Sequence, residues 1–178
     1  KLKSSLSDTQ AASRTLSDSK QTTTGTDITK AANNFVKTFN TASRSAKSAI
    51  ASQGTLADNS RARTAESDLR RAISADATTA SDLKAIGITQ QKDGALAIDV
   101  KKFDAAFKAD PDALRNTLSK VGQQVDRVVT GELADRGNIG LSVNSLGNRA
   151  RSLESQQADQ QAQATAAQQV VSAQTTRL

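Results

Sequence analysis

The chain has 178 residues, enough for one small core with a protruding helical arm but not for several independent cores. It contains no His, Cys, Met, Trp or Tyr, which excludes thiol chemistry, Ser-His-Asp or Cys-His catalysis, and metal sites with imidazole or thiolate ligands. The formal net charge of +6 lies wholly in residues 1–71, where the cations are scattered and few aromatic residues accompany them, which disfavours nucleic-acid binding.

Residues 1–20 are polar but permit a weakly amphipathic helix. Residues spaced alternately by four and three positions form its seam: Leu2, Leu6, Thr9, Ser13 and Leu16. The Thr-rich stretch from Gln21 to Thr26 contains one Gly and predicts a short extended segment or linker.

A much clearer helix is predicted from about Asp27 to Ser52, with Thr26 or Asp27 as its capping residue. Its apolar stripe keeps the same spacing throughout: Ile28, Ala32, Phe35, Phe39, Ala42, Ala46 and Ala49. We expect Phe35 and Phe39 to fill the core.

A third helix is predicted from Arg61 to about Ser74. Gln53-Gly54 ends the preceding helix, and Asp58-Asn59-Ser60 supplies the new cap. The residues expected to face inward are Ala62, Ala65, Leu69 and Ile73.

The hydrophobic pattern changes in residues 83–99, LKAIGITQQKDGALAID. Two short segments, Ile86–Thr89 and Ala95–Asp99, are compatible with β-strands, and Asp93-Gly94 between them is a strong hairpin signal. Gly94 can adopt the positive φ that such a turn requires. We therefore predict a β-hairpin near 86–99, with Ile86 and Ile88 in the core.

Two abutting helices are predicted in FDAAFKADPDALRNTLSKV. Phe103 and Phe107 are four residues apart on one face and are expected in the core, while Asp110-Pro111 matches a helix cap followed by proline at the first helical position. Another helix is predicted from Val121 to about Leu133, and the glycines of residues 137–140 break it.

The terminal segment from Leu141 has neither Gly nor Pro after Gly147 and predicts one long helix. A heptad register runs from Ile139 to the last residue, and its apolar members form a candidate oligomerisation seam: Val143, Leu146, Ala150, Leu153, Ala164, Ala167, Val171 and Leu178. Gln157, Gln160 and Gln174 occupy the other core positions. Because Ala and Gln bury little apolar area, this helix is expected to need a partner, either residues 1–20 or the equivalent helix of a neighbour.

Four blocks in this order resemble the carboxy-terminal region of the flagellar hook-associated protein 2 family, the filament-capping proteins: NNFVKTFNTA at 33–42, LKAIGITQQKDGALAID at 83–99, KKFDAAFKADPDALRNTLS at 101–119 and GNIGLSVNSLGNRARSLESQQA at 137–158. Phe39 stands where the family often has Tyr, and the Gln- and Ala-rich tail differs from the family's leucine-bearing terminal helix. Family members are generally longer, so the chain is either a fragment or a reduced relative in which residues 1–20 act as the amino-terminal coil helix.

The expected fold is therefore mainly α, a helical head with a small β-hairpin and long terminal helices that form a coiled coil. We expect an amino-terminal helix and linker at 1–26, the head at 27–134 and a coiled-coil helix at 135–178. The resemblance implies export by the flagellar type III route, an extracellular location on the flagellum or a surface filament, and homo-oligomeric assembly as a ring or a helical filament. It also implies contact with flagellin or other axial proteins.

Three other functions are alternatives to a filament cap. One is an open extracellular filament, and another is an adhesin or biofilm matrix component, for which no residue identifies a ligand. The third is an enzyme that uses Asp99, Asp104, Asp110 and Asp112, but Asp110 and Asp112 have a simpler explanation at a helix start. We expect no enzymatic activity, no cofactor, no metal and no membrane span, since no apolar run is long enough.

Overall fold

The chain is described by a computed structural model that covers residues 1–18, 24–74 and 76–175, with side chains to residue 172. Within these ranges it forms seven α-helices and one two-stranded antiparallel sheet, which confirms the predicted mainly-α class with a small hairpin. The elements are α1 (Leu2–Ser17), α2 (Gly25–Ile50), α3 (Ser60–Ser74), α4 (Ala77–Ala85), β1 (Ile88–Gln90), β2 (Leu96–Ile98), α5 (Val100–Ala109), α6 (Pro111–Leu133) and α7 (Asn138–Thr175).

The chain divides into two compact units, Lys1–Gly140 and Leu141–Leu178. This differs from the expected division, in which residues 1–26 stood apart from the head. In the structure α1 packs on both α2 and α6, and its predicted seam is buried at Leu6, Thr9, Ser13 and Leu16. The seam of α1 is therefore part of the core of the first unit. Half of the predicted linker, residues 21–23, lies outside the described residues.

The contact between α1 and α6 is very close at Gly122. A Cβ atom on Gly122 would lie 2.5 Å from the carbonyl oxygen of Ser13 and 2.9 Å from the backbone nitrogen of Ser17. The Ser119 hydroxyl donates to the Ser17 carbonyl at 3.0 Å, and farther along α6 the Arg14 guanidinium lies 2.9 Å from the Asp126 carboxylate. Residue numbers fall along α1 as they rise along α6, so the two helices are antiparallel.

The polar residues buried in this interface bond to their own helix. The Thr9 hydroxyl donates to the Ser5 carbonyl and the Ser13 hydroxyl donates to the Thr9 carbonyl, both at 2.8 Å. A hydroxyl that is satisfied in this way costs little to bury, because it takes no unpaired donor into the core. This explains how a seam with Thr and Ser can be fully covered.

The stripe of α2 forms the centre of the core. Phe35 and Phe39 are fully buried, with ring centroids 6.0 Å apart. Phe103 and Ile88 are also fully buried, and Ile86 is 6% exposed. The cap of α2 is Thr24 rather than Thr26 or Asp27, since its hydroxyl oxygen accepts from the backbone nitrogen of Asp27 at 3.3 Å.

Phe107 lies at the edge of the core and is only partly buried. Its ring forms one wall of an open groove of about 510 Å³ at the start of α2. The Arg115 guanidinium carbon lies 5.3 Å from the ring centroid, a cation–π distance. We therefore expect Phe107 to contribute less to stability than the fully buried phenylalanines.

The predicted hairpin is present, with shorter strands. Ile88 pairs with Ile98 and Gln90 with Leu96, and Gly94 has the expected positive φ of 83°. Ile86 is not in a strand, because it caps the C-terminus of α4, and Gly87 follows with φ 86°. The Asn40 side chain holds β2 against α2, accepting from the Leu96 nitrogen at 2.7 Å and donating to the Leu96 carbonyl at 2.8 Å.

Two helix predictions were wrong or incomplete. The predicted break before Val121 does not occur, because α6 continues to Leu133 with one buried face: Leu114, Leu118, Val121, Val125 and Val129. Helix α4 was not predicted. Its cap is Asp76, whose carboxylate accepts from the Thr78 nitrogen at 2.9 Å. The predicted caps Asn59 and Asp110 accept from the backbone nitrogens of Ala62 and Ala113.

Gly122→Ala is expected to destabilise the first unit by about 1–3 kcal/mol, because the new methyl group overlaps the backbone of α1. The matched control is Gly131→Ala in the same helix, where a Cβ would meet nothing within 4 Å. That control should be stabilising by roughly 0.5–1 kcal/mol, since Ala favours the helix. Urea denaturation followed by circular dichroism measures both; equal effects would contradict the close contact.

Phe39→Ala is expected to lower the free energy of unfolding by about 3–5 kcal/mol, because it removes a fully buried ring and leaves a cavity. Phe107→Ala should cost clearly less, since that ring is partly exposed. The same denaturation experiment compares the two variants. A larger loss for Phe107→Ala would contradict the placement of the two rings.

Candidate assembly surface

The second unit exposes a row of apolar side chains along one face of α7. The described members of the row, which we call the α7 seam, are Val143, Leu146, Ala150, Leu153, Ala164, Ala167 and Val171. The exposed fraction is 40% at Val143, 42% at Leu146, 60% at Leu153 and 63% at Val171. Leu178, the last predicted member, lies outside the described residues. Contiguous exposed apolar side chains of this kind mark interaction surfaces.

The middle of the seam is interrupted by two glutamines. Gln157 and Gln160 occupy the seam positions between Leu153 and Ala164, and both are exposed. A helix whose seam is built from Ala and Gln in its second half gains little from burial. A partner that covers this face must also offer hydrogen-bond groups to the two amides, because an amide left unpaired at an interface is costly.

Charged residues are sparse in residues 141–175: Arg149, Arg151, Glu154 and Asp159. The Arg151 side chain bonds within its own helix, donating to Asn148 Oδ1 at 2.8 Å. Arg149 and Glu154 stand on either side of the seam, and neither is in an ion pair among the described residues. These two side chains remain available for pairing with another helix.

The four carboxylates considered for catalysis each have a local structural contact. Asp99 and Asp110 cap α5 and α6, accepting from the backbone nitrogens of Lys102 and Ala113. Asp112 lies 3.2 Å from the Arg115 guanidinium, and Asp104 accepts from the Thr29 hydroxyl at 3.2 Å. In the described part of the chain, no three His, Cys, Asp or Glu residues are grouped so that they could hold a metal ion.

One buried carboxyl group was not anticipated from the sequence. Glu132 is 7% exposed at the end of α6. Its Oε1 accepts from the Asn138 amide at 3.1 Å, across the turn that leads into α7, while Oε2 has no hydrogen-bond partner among the described residues. Burial raises the pKa of Glu132, and the nearby Asp68 carboxylate raises it further, against the opposing bond from Asn138.

Comparison with known proteins gives one family. The family model described as flagellar hook-associated protein 2 C-terminus matches residues 2–178 and confirms the resemblance. Searches of curated proteins and of solved structures returned no match. Across the described residues, none of the helices combines the length and the apolar character needed to cross a bilayer.

Glu132→Gln is expected to stabilise the protein more at pH 7 than at pH 3.5. The folded-state pKa of Glu132 lies above its ordinary value of 4.5, so the ionised form is disfavoured by folding. Wild-type stability therefore falls as pH rises from below 4.5 through that raised pKa, and the uncharged Gln does not share this loss. The difference in unfolding free energy between variant and wild type, measured in urea at both pH values, checks it.

Acid-sensitive groups elsewhere cancel in that difference because both proteins contain them. The main one is Asp76, whose pKa is lowered to about 2 chiefly by the Thr79 hydroxyl, so its stabilising contribution is lost as pH falls below 3.8. An identical effect of Glu132→Gln at pH 3.5 and pH 7 would mean that the folded protein does not disfavour the ionised carboxylate.

Proposed function

Since this chain belongs to the flagellar hook-associated protein 2 family by its match to the family's C-terminal region, we propose that it is a self-assembling structural subunit of a flagellar filament cap. The exposed α7 seam is the structural feature that supports this function. A seam that stays in water gains nothing from its Leu and Val side chains, whereas burying one such side chain is worth about 1.5–3 kcal/mol. Association of several copies is the simplest way to bury it.

The first unit supplies a rigid body for such an assembly. Its core joins α1, α2, α3, α5 and α6 through fully buried side chains, and the hairpin is tied to α2 by the two Asn40 bonds. A rigid unit transmits a fixed geometry from one subunit to the next, which a ring or a filament requires. In this proposal the first unit acts through its shape, and its carboxylates cap helices and form ion pairs.

The proposed location is extracellular, at the flagellum, after export as an unfolded chain. Family membership is the main support. The composition is compatible with that route, since the chain has no Cys to form premature disulfides and only four aromatic residues, all Phe. Flagellin or another axial protein is the proposed second partner, on the same family basis.

Oligomer geometry distinguishes a cap from an open filament. Repeated head-to-tail contacts form a ring if the rotation between successive subunits brings the last one back to the first. Otherwise they propagate as an open filament. Negative-stain images of the purified full chain are expected to contain small closed particles of uniform size. Fibres of variable length would favour an open extracellular filament instead.

Replacing both leucines of the seam, Leu146→Ser with Leu153→Ser, is expected to raise the concentration of half-association at least about tenfold for each leucine. Sedimentation velocity across a concentration series measures it. The matched control is Leu141→Ser, which removes an exposed leucine of α7 that is outside the seam. A wild-type chain that stays monomeric at every concentration would overturn the proposed function.

A further inference from the structure

A small open cleft of about 300 Å³ lies between α3 and α6 near the end of α6. Its lining includes two carboxyl groups, Asp68 of α3 and Glu132 of α6. Asp68 is half-buried, whereas Glu132 is only 7% exposed. Burying an ionised carboxylate is costly unless it is paired with an opposite charge and fully hydrogen-bonded. The group that neutralises Glu132 therefore decides what this cleft binds.

Glu132 is bonded through one of its two oxygens. Oε1 accepts from the Asn138 side-chain amide at 3.1 Å, whereas the enclosed Oε2 has no donor among the described residues. The carboxyl group that interacts with Glu132 is that of Asp68. Ionised carboxylates can only accept hydrogen bonds, so two of them cannot bond to each other. A hydrogen bond between Glu132 and Asp68 therefore requires a proton on one of them.

The other cations near the cleft do not neutralise this pair. Arg71 and Arg127 also line it, but both are exposed, and neither is in an ion pair with the two carboxyl groups among the described residues. In the described part of the chain, only α3 and α6 contribute charged residues to the lining. The turn after α6 adds Asp135 and Arg136, which are exposed and outside the lining. Two carboxyl groups are too few for a metal centre, which leaves the proton as the cation.

We infer that Asp68 and Glu132 form a proton-binding site, in which Glu132 holds the proton on Oε2 and donates it in a hydrogen bond to Asp68. Glu132 carries the proton because it is the more buried of the two, and the neutral form costs less to bury. Asp68 is partly in water and keeps its negative charge. When the proton leaves, it passes to solvent, and two negative charges remain side by side in the cleft.

The direction of the pKa of Glu132 agrees with this arrangement. Burial raises that pKa most, and the charge of Asp68 and its hydrogen bond with Glu132 raise it further. The bonds from Asn138 oppose the rise because they favour the ionised form. A bond to Asp68 that raises the pKa is one in which the protonated Glu132 is the donor, since only that form is stabilised by it.

The bound proton completes a chain of hydrogen bonds across three helices. Protonated Glu132 donates to Asp68 on α3 and accepts from Asn138, the first residue of α7. The turn between α6 and α7 is folded tightly at this point, because a Cβ atom on Gly137 would overlap the Gly131 carbonyl oxygen. The site is therefore placed to fasten this turn to α3.

The fastening is expected to be stronger in acid. The folded-state pKa of Glu132 is raised above its ordinary value of 4.5, so the contribution of the site is fully present below pH 4.5. It is lost as the pH rises through the raised pKa, when Glu132 ionises beside Asp68. Local opening of the turn frees Glu132 to water, and opening therefore becomes easier at neutral pH.

Carboxyl titration by carbon-13 NMR of the full chain tests the shared proton. Glu132 is expected to titrate above pH 4.5 in the wild type. In Asp68→Asn its midpoint should move down, because the amide donates to the Glu132 carboxylate and the negative charge is gone. The matched control is Glu66→Gln on the same helix, which removes a carboxyl group outside the cleft and should leave the midpoint unchanged. An unchanged midpoint in Asp68→Asn would overturn the site.

Hydrogen exchange at the backbone amides of Gly137 and Asn138 tests the effect on the turn. After correction for the intrinsic exchange rate, the opening constant is expected to be at least about twofold higher at pH 7 than at pH 4. Glu132→Gln should keep it low at both pH values, because its amide donates to Asp68 without a proton to lose. The amide of Phe39, in the centre of α2, serves as the reference for opening of the whole first unit.

Two results of the exchange experiment would contradict the inference. One is an opening constant that is equal at both pH values. The other is a pH dependence that survives in Glu132→Gln, which would assign it to another group. Neither result bears on self-assembly, since the site lies within the first unit, and a chain that stays monomeric but shows the expected titration would overturn the proposed function alone.

Discussion

The close approach of α1 and α6 is the constraint on which the first unit depends. Gly122 lets the backbones come so near that a Cβ atom at this position would lie only 2.5 Å from the Ser13 carbonyl oxygen. Helix α6 packs in turn on α3, α4 and α5, and α1 packs on α2, so this one spacing sets the position of most of the other helices. The small hydroxyl residues of α1 are suited to that distance, because larger side chains would hold the two helices apart.

Much of the fold follows from local patterns in the sequence. The stripe of α2 is long and regular, Asn59 and Asp110 are typical caps, and Asp93-Gly94 allows only a few chain conformations; each signal acts over a few residues and needs no tertiary context. Helix α4 lacks such a signal, since only Thr79 and Leu83 of its residues are buried. The continuity of α6 was not predicted; Gly122 lies inside the helix, where it packs against the backbone of α1.

The candidate surface was only partly predictable for the same reason. The spacing from Val143 to Val171 identifies the seam. Its Ala and Gln side chains bury too little apolar area to indicate which partner covers them. The buried Glu132 had no local signal at all. Its environment is created by Asp68 on α3 and Asn138 beyond the end of α6, residues that only the folded chain brings together. Tertiary context therefore decides the raised pKa of Glu132, whereas the lowered pKa of Asp76 comes chiefly from its sequence neighbours Thr79 and Thr78.

The two hydrogen bonds of Asn40 also protect the edge of the sheet. A two-stranded sheet presents open backbone donors and acceptors, and an open edge can add a strand from another molecule and lead to aggregation. Asn40 occupies both backbone groups of Leu96, so β2 cannot offer them to a foreign strand. This one amide therefore closes part of the edge that the short hairpin would otherwise leave open to a strand of another molecule.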